Sequence, residues 1–204
     1  EWAPVSGVLP PLNEAQWQAA LEAYRQIPEY QQINRGMSLA AFKTIYWWEY
    51  AHRLLGRFIG LAYGLPFLFF LWRRMVPAGY GPRLWVIFGL GALQGAVGWW
   101  MVASGLAERV DVSQYRLAAH LSLALVIFSA IIWTALDLLT PPRFTPVAKR
   151  PRRLATAFLA LLAVQIVAGA LVAGLRAGFA FNTWPLMEGA LVPPGLLAMA
   201  PWYL

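Results

Sequence analysis

The sequence predicts an all-α polytopic membrane protein with four transmembrane helices in a bundle. Three observations carry this reading. Of the 204 residues, 60% are hydrophobic and 12% charged, with a mean hydropathy of +0.55, where a soluble domain is nearer half apolar. Four apolar runs, 44–72, 84–106, 115–139 and 154–175, each reach the roughly 20 residues that cross a bilayer. The charges between them alternate in character. The 73–83 loop has Arg73, Arg74 and Arg83 with no acid; the 140–153 loop has Arg143, Lys149, Arg150, Arg152 and Arg153 with no acid; the 107–114 loop has Arg109 against Glu108 and Asp111. Basic loops stay on the cytoplasmic or matrix side. The two basic loops are therefore expected inside, and residues 1–43, 107–114 and 176–204 outside. The net charge of +7 is thus a topology signal rather than a sign of nucleic-acid binding.

Residues 1–43 form an outer segment with one short amphipathic helix. Pro4, Pro10 and Pro11 keep its start extended. Asn13 is placed to cap a helix whose apolar stripe is Trp17, Ala20, Leu21 and Tyr24. Ser38 caps the entry to the first span. The first three spans follow, then the basic loop, the 154–175 span and an outer tail. Trp and Tyr pairs such as Trp47-Trp48 and Trp202-Tyr203 suit the membrane interfaces. The chain has no cysteine and two histidines, which excludes disulfides, thiolate metal sites, cysteine nucleophiles and any three-histidine metal site.

The chemistry concentrates in the first span, where Glu49, His52 and Arg53 interrupt an apolar run. An ionisable group near the centre of a membrane helix costs roughly 2.5–3.5 kcal/mol on insertion scales, so it is a functional candidate by default. Spacings of three and four put the trio on one helix face. Spans one and three run in the same direction, and at 1.5 Å per residue His52 and His120 lie about 12 and 8 Å below their outer ends. Two imidazoles at matched depth on neighbouring helices are an axial pair for a haem iron; packing is the plainer use of either. Arg53 and Arg116 sit where they can bind haem propionates or snorkel to headgroups. Gly89, Gly91, Gly95 and Gly98 on span two, and Ala168, Gly169, Ala173 and Gly174 on span four, permit close helix approach and leave room for a flat cofactor. Gln94 among them is a candidate cofactor contact. Gln94 and Gln165 both need a polar partner, which a helix–helix hydrogen bond supplies.

The chain also contains a weak repeat. The tail from Trp184 to Pro194 shares a Trp, Pro, Gly, Leu, Pro-Pro frame with Trp2 to Pro11, and Gln94 with Gly98 recurs as Gln165 with Gly169. Site-forming internal repeats are common in membrane proteins. Glu1 is not a start residue, and the repeat places one helix before the chain and three after it, as part of an eight-helix pseudo-twofold array.

The stretches Glu49–Arg53, Gln94–Leu106, Val112–Leu121 and Asn182–Met187 together resemble the haem A synthases, and the likeness covers essentially the whole chain. It is closest to the cysteine-free type of proteobacteria and mitochondria. The resemblance implies eight spans in two halves and an oxidoreductase that converts the pyrrole-8 methyl of haem O to a formyl group by successive hydroxylations. It implies that His52 and His120 are the axial pair of the haem O site, that Glu49 is catalytic, and that a haem b occupies the other half, whose histidine pair has no counterpart here. The implied location is the bacterial inner membrane or the mitochondrial inner membrane. The implied partners are haem O, the lipid bilayer, haem O synthase, an electron donor and a second copy of the chain. Two other functions fit the residues. A bis-histidine b-type cytochrome needs the histidines but not Glu49; a non-catalytic scaffold or transporter subunit needs only a Glu49–Arg53 pair.

Overall fold

The computed structural model describes residues 9–107, 110–140, 149–180, 182–183 and 185–192. Their helices are α1 (Glu14–Arg25), α2 (Pro28–Gln32), α3 (Leu39–Trp72), α4 (Gly81–Ala107), α5 (Gln114–Leu139), α6 (Lys149–Gly174) and α7 (Ala177–Ala180). Helices α3 to α6 are each long and apolar enough to cross a membrane. Trp2, Pro4, Glu108, Arg109, Arg143, Trp184, Pro193, Pro194, Trp202 and Tyr203 lie outside the described residues.

Side-chain contacts fix an up-and-down order. Tyr63 Oη on α3 donates to the Leu84 carbonyl on α4 at 2.9 Å, and Phe67 meets the Trp85 ring edge-on at 5.0 Å. Helix α4 then runs back along α5. Arg83, near the start of α4, pairs with Asp137, near the end of α5, at 2.6 Å, and its guanidinium lies 5.2 Å from the Trp133 ring centre. At the opposite end Ser104 Oγ accepts from the Ser113 main-chain N–H at 2.8 Å. Helix α6 returns along α5, so closely that a Cβ on Gly174 would stand 2.7 Å from Gln114 Cα. The bundle thus has an arginine end and a histidine end. Most side chains of the long helices face outward, as helices solvated by lipid must.

At the histidine end a small aromatic cap sits on α3. Asn13 caps α1 through the Gln16 N–H at 2.9 Å, and Ser38 caps α3 through the Ala41 N–H at 3.3 Å. Trp17 and Leu21 of the expected stripe are buried against Phe42, with Ala20, Tyr24 and Tyr46 packed around them. The structure differs from the expectation in three places. The cap contains a second short helix, α2, which begins at Pro28, a position where the missing N–H is harmless. Helix α3 starts at Leu39, five residues before the predicted span, because Phe42, 5% exposed, is held by the cap rather than by lipid. Lys149, Arg150, Arg152 and Arg153 form the opening of α6 instead of a loop. Cations oppose the dipole at a helix N-terminus, so these charges serve the membrane surface and not the helix.

Candidate functional site

Helix α3 carries Glu49, His52 and Arg53 on the face predicted from their spacing, just below the cap. Tyr50 turns the other way; it is buried and stacks on Tyr46 at 6.1 Å with an 11° interplanar angle. Glu49 and His52 are exposed and Arg53 is half-buried. The Arg53 guanidinium lies 6.0 Å from the centre of the Tyr46 ring, and its charge acts on the Glu49 carboxylate. Glu29 of α2 also lies within electrostatic reach of Glu49. Tyr24 is held by Asn34, whose Nδ2 donates to the Tyr24 hydroxyl at 2.8 Å and lies 3.4 Å from Glu29 Oε1. Burial raises the Tyr24 phenol above the ordinary tyrosine range. The cap therefore brings a polar cluster to the Glu49 face as well as an aromatic one.

His120 occupies the opposite wall. Its ring lies against Gly98 of α4, where an added Cβ would meet His120 Cε1 at 2.8 Å. One turn before Gly98, Gln94 Nε2 donates to the His120 main-chain oxygen at 3.0 Å and lies 3.5 Å from the ring Nε2. The two histidines of the chain thus stand on different helices, His52 on α3 and His120 on α5, and the charge of one acts on the other. Helix α3 packs on α4 near the arginine end, through Tyr63 and Phe67, while α4 packs along α5. That leaves the charged face of α3 and the His120 wall without extended backbone contact between them.

The donor set suits a haem. Among the described residues no cluster of three or more histidine, aspartate or glutamate side chains could hold a bare ion. A haem, by contrast, needs only one or two protein side chains on its iron, and a histidine pair is one such set. Two buried polar atoms on the His120 wall, His120 Nδ1 and Gln94 Oε1, have no hydrogen-bond partner among the described residues. Buried polar groups are normally paired, so this wall is polar beyond its own needs.

The other predicted residues fall in different places. The Arg116 guanidinium donates to the Trp100 carbonyl at 2.8 Å and lies 4.5 Å from the Trp100 ring centre, which ties it to α4 at the histidine end. Gln165 is exposed on α6, unlike its repeat partner Gln94. Arg57 was not singled out by the sequence reading, yet it lies one turn beyond Arg53 inside α3 and is half-buried. The signal was available, since a second cation in an apolar run at a spacing of four extends the same face.

Fold and site together define a polytopic helical membrane protein with a histidine pair suited to haem. The COX15-CtaA family, described as cytochrome oxidase assembly protein, matches residues 1–204, and the chain belongs to it. The chain is 58% identical over 205 residues to the "Heme A synthase" of Rhodopseudomonas palustris strain HaA2, covering all of this chain and 56% of that protein. It is 59% identical over 206 residues to that of Bradyrhizobium sp. strain ORS 278, with 57% of it covered. It is 57% identical over 204 residues to that of Parvibaculum lavamentivorans strain DS-1, with 59% covered. The chain thus spans little more than half the length of these relatives. No solved structure matches it.

Proposed function

We propose that the protein to which this chain belongs is a haem A synthase, which oxidises the pyrrole-8 methyl of haem O to a formyl group, and that this chain forms the haem O site. What supports the reading is the match to haem A synthases over the whole of this chain, together with Glu49 and His52 on one face of α3 and His120 on α5. Haem O supplies both the iron and the methyl group that is oxidised. His52 and His120 hold that iron axially. Glu49, one turn from His52 on the same face, exchanges protons at the haem edge during the oxidation, whose electrons pass to an external oxidant. Arg53 and Arg116 neutralise the propionates. The outer placement of residues 1–43 and 176–204 follows from the basic loops, in a bacterial or mitochondrial inner membrane.

Glu49→Gln separates an oxidase from an electron carrier. The amide keeps the size of the side chain and removes its titratable proton. General acid–base help is worth about 10²–10⁴-fold, so haem A yield in cells should fall by that factor while haem binding persists. Haem extraction and chromatography measure it. Normal haem A from Glu49→Gln would return Glu49 to a structural partner of Arg53.

A further inference from the structure

We propose that Gln94 and Gly98 form a seat on α4 that holds the His120 imidazole with its Nε2 lone pair presented for iron, which makes both of them positioning residues. The inference rests on the reading of His120 as a haem ligand. Gly98 supplies the room. A Cβ at this position would stand 2.8 Å from Cε1, 3.3 Å from Nδ1 and 3.5 Å from Nε2 of His120, so any other residue displaces the ring. Gln94 supplies the orientation. The His120 main-chain oxygen, 3.0 Å away, can only accept, so it fixes the NH₂ side of the Gln94 amide toward α5. The same NH₂ lies 3.5 Å from the ring Nε2. That approach is favourable only when Nε2 bears a lone pair and the proton sits on Nδ1. The seat therefore selects the tautomer that ligates through Nε2. Binding a metal there gives up a weak 3.5 Å contact and leaves the 3.0 Å bond to the main chain intact.

Outer-shell residues that orient a metal-ligating histidine are typically worth 10–100-fold in metal affinity; Gln94 acts here through the His120 main chain and Gly98 through the room it leaves for the ring. The test uses the full-length protein, depleted of haem and titrated with haemin, with affinity and the low-spin haem spectrum as readouts. His120→Ala identifies the signal that belongs to this site. Gln94→Leu and Gly98→Ala should each weaken haemin binding at that site about 10–100-fold and alter its low-spin spectrum. In the His120→Ala background, Gln94→Leu should have no further spectral effect. Thermal unfolding of the haem-free forms monitors folding, and Gln94→Leu, close in volume to glutamine, carries the test if Gly98→Ala does not fold. Wild-type affinity and spectrum in Gln94→Leu, alongside loss of the signal in His120→Ala, would overturn the seat and leave the ligand reading standing. An unchanged spectrum in His120→Ala would remove both.

Discussion

Trp17→Ala should release the cap while leaving the bundle folded. Trp17 is 8% exposed and touches three rings of α3: Tyr46 at 4.9 Å, Trp47 at 5.8 Å and Phe42 at 6.5 Å between centroids. Truncating a buried aromatic of this size costs about 3–5 kcal/mol, a figure that already contains those contacts. Leu21, 2% exposed, and the Tyr24–Phe42 ring contact at 5.2 Å remain to oppose release. The Lys43–Glu14 ion pair at 3.5 Å is largely exposed and contributes at most about 1 kcal/mol, and Lys43 also loses the indole ring 5.1 Å from its ammonium. With tenfold for each 1.4 kcal/mol, opening of the cap should become roughly a hundredfold to a few thousandfold more frequent. Amide hydrogen exchange of the full-length protein in lipid discs reads this directly. Protection should collapse over α1 and the first turns of α3 and persist in α4 and α5. Wild-type protection of α1 would refute the cap as a docked unit. Uniform loss through α4 and α5 would show that the cap is not separable from the bundle.

The remaining predictions follow the same contacts. Gly174→Ala should destabilise the protein by about 1–3 kcal/mol, because the new methyl overlaps the Gln114 main chain. Gly169→Ala, with nothing within 4 Å, should not, and thermal melts in detergent compare the two. The raised Tyr24 pKa favours the neutral phenol in the folded cap, so its stabilising contribution is complete below the ordinary value of 10.0 and is lost as pH rises through the higher folded value. Exchange of the cap amides should accelerate in that alkaline window, and Tyr24→Phe should flatten the dependence; an identical pH profile in Tyr24→Phe would contradict this. For topology, a cysteine at Gln18 should react with an impermeant thiol reagent added from outside, and one at Gly79 should resist it. The opposite pattern would invert the assignment of sides.

The spans were legible because lipid imposes a length and a composition that no soluble contact overrides. The caps at Asn13 and Ser38 were legible for a local reason, since each depends on a hydroxyl or amide facing its own first turn. The start of α3 was not. Its first turn answers to Phe42 in the aromatic cap, a contact between distant parts of the sequence. Gly98 was legible as a small residue in a helix interface, but not as the seat of His120, because nothing local pairs position 98 with position 120. Gln94 carried a clearer signal, since a glutamine in an apolar helix needs a partner; the partner proved to be the histidine wall. Arg57 shows the opposite failure. Its signal was local, and it was overlooked beside the denser Glu49–Arg53 group.

The arrangement of α3 follows from where its charges lie. A helix with Glu49, His52, Arg53 and Arg57 along half its length cannot pack that half against the apolar body of α4 or α5 without stripping water from groups that the neighbouring helix has no means to pair. Its apolar half, with Tyr63, Gly64 and Phe67, has no such restriction and packs on α4. Close packing at the arginine end and separation at the histidine end are therefore two consequences of one charge distribution. Part of the charge is answered within the chain, by Arg53 acting on Glu49 and by the Tyr46 ring. His52 is exposed, and on the His120 wall His120 Nδ1 and Gln94 Oε1 retain no partner among the described residues. Under the proposed function, haem O would answer these needs together: its body would lie between the helices, its propionates beside the arginines, and its iron at the imidazoles. The proposal thereby ties the packing of α3 to the chemistry of Glu49: the polarity that keeps this part of α3 from packing on α4 is also what would bring a carboxylate to the edge of a substrate there.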